Sequence, residues 1–395
     1  MRTETDVAEA ITALGELWLE LLFDDPVVRG ARGDVICSPA GLWLALAALE
    51  ACADGATREE LRGVVGPVRA RKVEATAVRA LGREGAFIAS ARMSSRLPAR
   101  PEFGTPSYAI EVGQPGLDGP HGLHRWSHGT DALLGQAAEC ADPAHCALLV
   151  STVALRAEWE RPFEPSFTRE LPFTDAEGVT HRVPAMVAEV PVEDAWTLAR
   201  PHGRVTVVEL RARAGDRSAA PATPPVRVRF ALGEDRQVPP AEVISASWAP
   251  AAQGSAIRGS RGSRRPEAVL LELPRLWLSG DIDMSPQLAA LGVKRLFSPS
   301  AELPRMFSEP VHCDRAVQSC LVRFDEEGLT SETSAGTATD RPWANRAHFD
   351  GPGQLLRTAP VRLDRPFAVS VLDGSGTVPL LAGYQADRPG GLGES

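Results

Sequence analysis

Four groups of side chains in this 395-residue chain have types and spacings that could do chemistry. His121, His124 and His128 fall at i, i+3 and i+7, on one face of a helix, with Cys140, His145 and Cys146 close behind. Imidazoles and thiolates so placed can converge on a metal ion. A solvated helix face accounts for the same spacing and is the reading adopted, with no metal and no cofactor expected. His312, Cys313 and Cys320 read as buried thiols beside a histidine. Arg258, Arg261, Arg264 and Arg265 lie in a Gly- and Ser-rich stretch. They could hold a polyanion, but a solvated loop is the simpler account. No nucleophile elbow, P-loop or dinucleotide fingerprint is present, and Gly374-Ser375-Gly376 lies in a hairpin turn without the elbow's context.

The fourth group would act through conformation. Phe324 to Thr339 reads F-D-E-E-G-L-T-S-E-T-S-A-G-T-A-T: paired acids and a glycine, then small or β-tolerant residues with no proline. Loops normally carry turn residues throughout, whereas this one could still become a strand. The run breaks at Asp340-Arg341-Pro342-Trp343, and an apolar strand resumes near Pro366.

Several elements must position these residues. Val7, Ile11, Leu14, Trp18 and Leu21 recur at helical spacing over 5–23. Asp34 to Ala40 reads as a short buried strand running into a helix, with Ser38 as cap and Pro39 first in the helix, which is apolar nearly all round to Ala53. Thr57-Arg-Glu-Glu fits a capping box opening a further helix. His121 to Glu139 is expected to be a helix and Ala147 to Leu155 a central strand. Residues 204–212 and Val226-Arg-Val-Arg-Phe-Ala-Leu partly alternate, so strands wet on one face are expected, the second as an exposed edge in preference to a pocket wall. Residues 214–225 and 250–265 read as surface loops, 267–278 as strand, Ser285 to Phe297 as a short helix, and Phe367 to Gly383 as a terminal hairpin.

Composition bounds the partners. The net charge of −9 argues against nucleic acid. No apolar run reaches membrane-spanning length, and the N-terminus has no signal-peptide core, so a cytoplasmic monomer is expected. The six cysteines form no CxxC and read as mostly free thiols. Lys72 and Lys294 stand alone among many arginines, which fits the coding bias of a GC-rich genome. With no repeat or interdomain linker, residues 1–395 read as one α+β domain.

In this order, these segments resemble the serpin family, and a bacterial member is expected. Asp34-Val-Ile-Cys-Ser-Pro and Gly55-Ala-Thr-Arg-Glu-Glu-Leu are similar to its first buried strand and following helices. Leu149 to Phe163 resembles its "L-V-N-A-I-Y-F-K-G-x-W-x-x-P-F" run, with Trp159 at the breach tryptophan. Val183-Pro-Ala-Met, Leu273-Pro-Arg-Leu, Asp325-Glu-Glu-Gly, Arg365-Pro-Phe and Val378-Pro-Leu-Leu-Ala-Gly match later motifs. The resemblance implies three sheets, eight or nine helices and a reactive loop at about 328–360. It implies inhibition of a serine or cysteine protease by loop cleavage and strand insertion, with that protease as partner and no enzymatic activity of its own. It makes Glu326, Glu327, Gly328, Leu329, Ser331 and Thr333 the hinge, and pairs Glu326 with Arg275 as a surface lock worth about 0–1 kcal/mol. Ser38, Ser151 and Gln318, with Gly41, stand where the family has a hydrogen-bonded shutter; the imidazole and asparagine of that cluster are replaced.

Insertion from Gly328 would bury Leu329, Ser331, Thr333, Ala335, Thr337 and Thr339, none of them charged. Glu332 falls on the opposite face; buried without a partner it would cost roughly 3–5 kcal/mol. Counting forward from Gly328 puts the scissile position at Arg341 or Pro342, whereas counting back from Pro366 puts it near Leu355. The difference is an insertion of about thirteen residues. Arg346-Ala347 is the best early trypsin-like cut, and cuts at Leu355 or Arg357 would leave slack. Leu329, the altered shutter and the long loop keep two alternatives open: a non-inhibitory binding protein of the same fold, or a fold recruited to small-molecule chemistry.

Overall fold

The computed structural model describes residues 2–25, 33–66, 87–95, 97–100, 110–113, 146–213, 225–257, 268–330 and 358–390. The helix expected over His121 to Glu139, the basic loop at 258–265 and the segment 331–357 lie outside these residues.

Helix α1 (Arg2–Asp24) buries Val7, Ile11, Leu14, Trp18 and Leu22 on one face. Strand β1 (Val35–Cys37) leads into α2 (Pro39–Cys52), whose first turn Ser38 caps by accepting from the Gly41 N–H at 2.9 Å. Helix α2 is buried nearly all round, as its composition requires. Helix α3 (Gly55–Val65) starts before the expected capping box, with Asp54 at the cap position and no side-chain bond from it. The cap is supplied from far along the chain. Glu302 Oε2 accepts the Ala56 N–H at 2.9 Å, and Thr57 Oγ1 accepts the Glu302 N–H at 3.0 Å. The box is thus closed between two segments rather than within one.

Strands β2 (Phe87–Ser95), β3 (Ile110–Gly113) and β4 (Cys146–Trp159) pair side by side, β2 between the other two. Strands β5 (Arg169–Thr174) and β6 (Thr180–Pro191) form a hairpin. Next come β7 (Ala195–Arg200), β8 (Gly203–Arg213) and β9 (Val226–Gly233). Helix α4 (Pro240–Trp248), the two-residue β10 (Ser255–Ala256), β11 (Ala268–Pro274) and β12 (Leu276–Asp283) follow. The short helix expected to reach Phe297 ends early: α5 spans Ser285–Ala290, and Arg295–Phe297 is a single 3-10 turn. The chain continues through β13 (His312–Phe324), β14 (Gly328–Thr330), β15 (Thr358–Arg362), β16 (Phe367–Leu372) and β17 (Pro379–Gln385).

Among the described residues, thirteen strands form one hydrogen-bonded network and four form another, β15-β11-β6-β5. Among the described residues, two strand pairs, Glu158 with Arg213 and Trp159 with Ala212, join the β4 side of the large network to the β8 side. That junction merges two of the three expected sheets by pairing. The described α-helices number five.

Strand β9 corrects the sequence reading. It lies between β8 and β16 rather than at an edge, and its arginines face partners. Buried Arg229 donates to Glu209 Oε2 at 2.8 Å and to the carbonyls of Ser247, Trp248 and Ala249 at the C-terminal end of α4. It also lies 5.3 Å from the Trp196 ring centre. A guanidinium matches four acceptors and a helix's negative end at once, so the alternation signals an internal ion pair instead of a wet face.

Candidate functional site

The site is the seam where β14 enters the large network. Phe324 ends β13, and Asp325 turns the chain: its Oδ1 accepts the N–H groups of Glu327 (3.0 Å) and Gly328 (3.2 Å), while its own N–H donates to the Gly328 carbonyl. The turned chain runs back as β14 between β13 and β4, antiparallel to both. Leu329 faces Phe324 on one side and Ala157 on the other; Thr330 faces Arg323 and Arg156. Leu329 is buried. Gly328 sits where no side chain fits, because a Cβ there would lie 2.0 Å from the Ala157 carbonyl oxygen.

Trp159 anchors the turn from β4. Its indole N–H donates to the Asp325 carbonyl and its backbone N–H to the Glu327 carbonyl, both at 2.8 Å. The indole stacks on Phe324 at 6.2 Å between ring centres, with Phe163 edge-on at 6.0 Å. Glu326 completes the anchor. Arg275 donates to both its oxygens at 2.6–3.0 Å, and the Thr168 hydroxyl donates to Oε1 at 2.7 Å. This is not the surface pair expected from sequence: the Glu326 side chain is only 9% exposed, whereas Arg275 is 42% exposed. Thr168 carried no sequence signal for this contact.

Burial pushes the Glu326 carboxyl up, but the bonds from Arg275 and Thr168 outweigh it and hold the group below its ordinary value of 4.5. A depressed carboxyl contributes stability above its unfolded pKa and loses it as pH falls through the folded value. The turn at 325–328 is therefore expected to hold at neutral pH and to loosen as acid titrates Glu326 below pH 4.5. Hydrogen exchange of residues 325–330 against pH would show the step, and Glu326→Gln would remove it.

Below β14, β4 and β13 pair directly in parallel, from Val153 with Cys320 down to Leu148 with Arg315. A bulge then shifts the register between Cys313 and Arg315. Beneath this seam lie Ser38, Ser151 and Gln318, all buried. The Gln318 amide brackets the Ser38 backbone: Oε1 accepts its N–H at 2.6 Å, and Nε2 donates to its carbonyl at 3.0 Å. Ser38 Oγ donates to the Leu380 carbonyl. Gly41 leaves the space that Gln318 uses; a Cβ there would lie 3.3 Å from Nε2 and 2.7 Å from Val153. Ser151 faces Gln318 in register, yet its hydroxyl has no hydrogen-bond partner. Two buried thiols read as packing groups: burial pushes Cys37 and Cys313 up to about 12, so both stay protonated at neutral pH.

The remaining sequence candidates, Ser331, Thr333, Arg341, Arg346, Leu355 and Arg357, lie outside the described residues. So do His121, His124, His128, Cys140 and His145. Among the described residues no group of three or more His, Cys, Asp or Glu side chains is placed to hold a metal ion. No described helix is long and apolar enough to cross a membrane.

In the uncut chain β14 already lies between β4 and β13 beside Trp159, whereas the resemblance implied entry of the hinge side after cleavage. A family model described as Serpin (serine protease inhibitor) matches residues 130–387, well over half of the chain. The chain belongs to the serpin family. Related serpins include "Alpha-1-antitrypsin 1-2" of Mus musculus, 23% identical over 268 residues covering 66% of this chain and 55% of that protein. "Probable serpin E3" of Danio rerio is 29% identical over 221 residues, 55% of this chain and 46% of that protein. This chain thus spans about half the length of these relatives. Among solved structures, Serpin48 of the insect Tenebrio molitor superposes with a TM-score of 0.68 at 18% identity, covering 98% of this chain and 99% of that one. Human thyroxine-binding globulin, complexed with its hormone, also gives 0.68, at 16% identity and with 98% and 99% coverage. At these identities the likeness is one of fold.

Proposed function

We propose that this serpin inhibits a serine or cysteine protease by loop cleavage followed by insertion of the hinge side between β4 and β13. The observation that carries this reading is the register of the seam. Across Leu329, Ala157 faces Phe324; four residues further along both strands, Val153 faces Cys320 directly. The two strands thus keep one register whether a strand lies between them or not. Opening needs sideways separation and no slip along the strands.

Continuing the pairing of β14 would set Ser331 between Leu155 and Val322, Thr333 between Val153 and Cys320, and Ala335 between Ser151 and Gln318. All of these β4 and β13 positions are buried, and apart from Gln318 they are apolar or small. The shared register ends at Leu148 and Arg315, opposite which residue 338 would stand. Every candidate cut, from Arg341 to Arg357, lies beyond that point and leaves the insertable residues whole. Arg346-Ala347 gives a trypsin-like enzyme its best substrate.

The Gln318 bracket on Ser38 favours a second reading, a non-inhibitory binding serpin whose seam stays shut. Incubation with a panel of serine and cysteine proteases separates the two. Inhibition gives an SDS-stable complex with at least one member. Loop cleavage by every member that acts, with no such complex, would refute inhibition and leave the binding reading.

A further inference from the structure

Two buried carboxylates distant in sequence are held by the same two short segments. Glu326, just before β14, takes its bonds from Thr168 and Arg275. Glu272, on β11, meets Arg169 through Oε1 and Arg362 of β15 through Oε2, the latter at 2.7 Å. Thr168 and Arg169 are consecutive, and Glu272 and Arg275 lie three residues apart. Ala185 of β6 ties the segments together, pairing with Arg169 on one side and Pro274 on the other, and the Arg275 N–H donates to the Pro184 carbonyl. Glu326 precedes the stretch 331–357 and Arg362 follows it, so one block of residues holds both of its flanks.

Glu272 makes this block sensitive. Its side chain is 1% exposed, whereas both arginines keep half their surface in water. The contact of Oε2 with Arg362 is a close approach of charges without hydrogen-bond alignment. The buried carboxylate therefore depends on both cations for compensation. If Arg362 leaves, Arg169 must move to cover both oxygens, and Thr168 moves with it, away from Glu326.

We infer that these two carboxylates form one coupled clasp, through which the seating of β14 and the seating of β15 depend on each other. Such coupling is reciprocal: whatever loosening β15 does to the hinge, loosening the hinge does to β15. The inference does not depend on whether the protein inhibits a protease.

Hydrogen exchange on the intact full chain tests it, comparing wild type with Arg362→Met, Glu326→Gln, the double variant, and Arg204→Met, which disturbs an exposed pair with Glu234. Arg362→Met is expected to speed exchange about tenfold at the Trp159 and Phe163 amides, which donate to hinge carbonyls. Glu326→Gln is expected to speed exchange similarly at the Leu363 amide, which donates to the Glu272 carbonyl. The double variant should fall short of the product of the two. The β16–β17 hairpin should be unchanged throughout, and Arg204→Met should change neither end. Effects confined to each variant's own end would overturn the inference. Should Arg362→Met not fold, Arg362→Lys supplies the same reading. Loosening of β15 and the hinge together would support it; loosening of β15 alone would refute it.

Discussion

Cutting this serpin at Arg346-Ala347 is expected to raise its melting temperature by about 5–10 °C, although the cut breaks a covalent bond. Residues 331–338 would enter a seam already in register and make about sixteen ladder bonds where about eight now join β4 to β13. At roughly 1 kcal/mol net per bond the surplus is about 8 kcal/mol. Ordering these residues opposes that gain, and burying their inner face supports it. One parallel pairing is exchanged for two antiparallel ones, which are slightly stronger per residue. With an unfolding entropy of about 2.1 cal/mol/K per residue, each kcal/mol shifts the melting temperature of a chain this long by roughly 1 °C. Melting curves of intact and nicked protein followed by circular dichroism give the answer. An unchanged or lowered temperature after nicking would mean that nothing inserts, whatever the fold.

The two-residue period of a strand supplied the inner-face expectation for 329–339, of which Leu329 and Thr330 lie among the described residues, because it sorts side chains without knowledge of their neighbours. The buried position of Leu329 agrees with that parity. Helix α2 and its Ser38 cap were legible for the same local reason. Contacts between distant segments were not. The replaced shutter imidazole reads in sequence as a loss, yet Gln318 reaches Ser38, 280 positions away, and bonds its backbone at both ends. No local pattern announces that Glu302 caps α3 or that Thr168 holds Glu326. The arginines of β9 looked solvent-facing because charge usually is; Glu209 on the neighbouring strand and the end of α4 reverse that rule. Glu272 gave no signal because both its partners lie on other strands of a sheet that exists only once the chain has folded.

Replacing Gly328 with alanine is expected to expel the hinge and slow formation of any protease complex at least about tenfold, since a hinge outside its seam must first be re-seated. The argument is steric. The added Cβ would lie 2.0 Å from the Ala157 carbonyl oxygen and 2.8 Å from the Glu158 Cα. Both are backbone atoms of β4, which at Glu158 and Trp159 is paired to β8 on its other side, so neither can swing aside as a side chain would. Forcing in the methyl would cost about 1–3 kcal/mol. Leaving the seam would cost the burial of Leu329, about 2 kcal/mol. Either outcome destabilises by a similar amount, but only expulsion frees the Asp325 turn and uncovers Trp159. A urea titration followed by tryptophan emission should therefore show a loss of about 1–3 kcal/mol, with the native emission shifted before unfolding begins. Gly63→Ala is the matched control. Its Cβ meets nothing within 4 Å in α3, so it should cost nothing and should add up to about 1 kcal/mol through helix propensity. A Gly328→Ala protein that matches wild type in stability, emission and complex formation would show that the hinge does not need the seam.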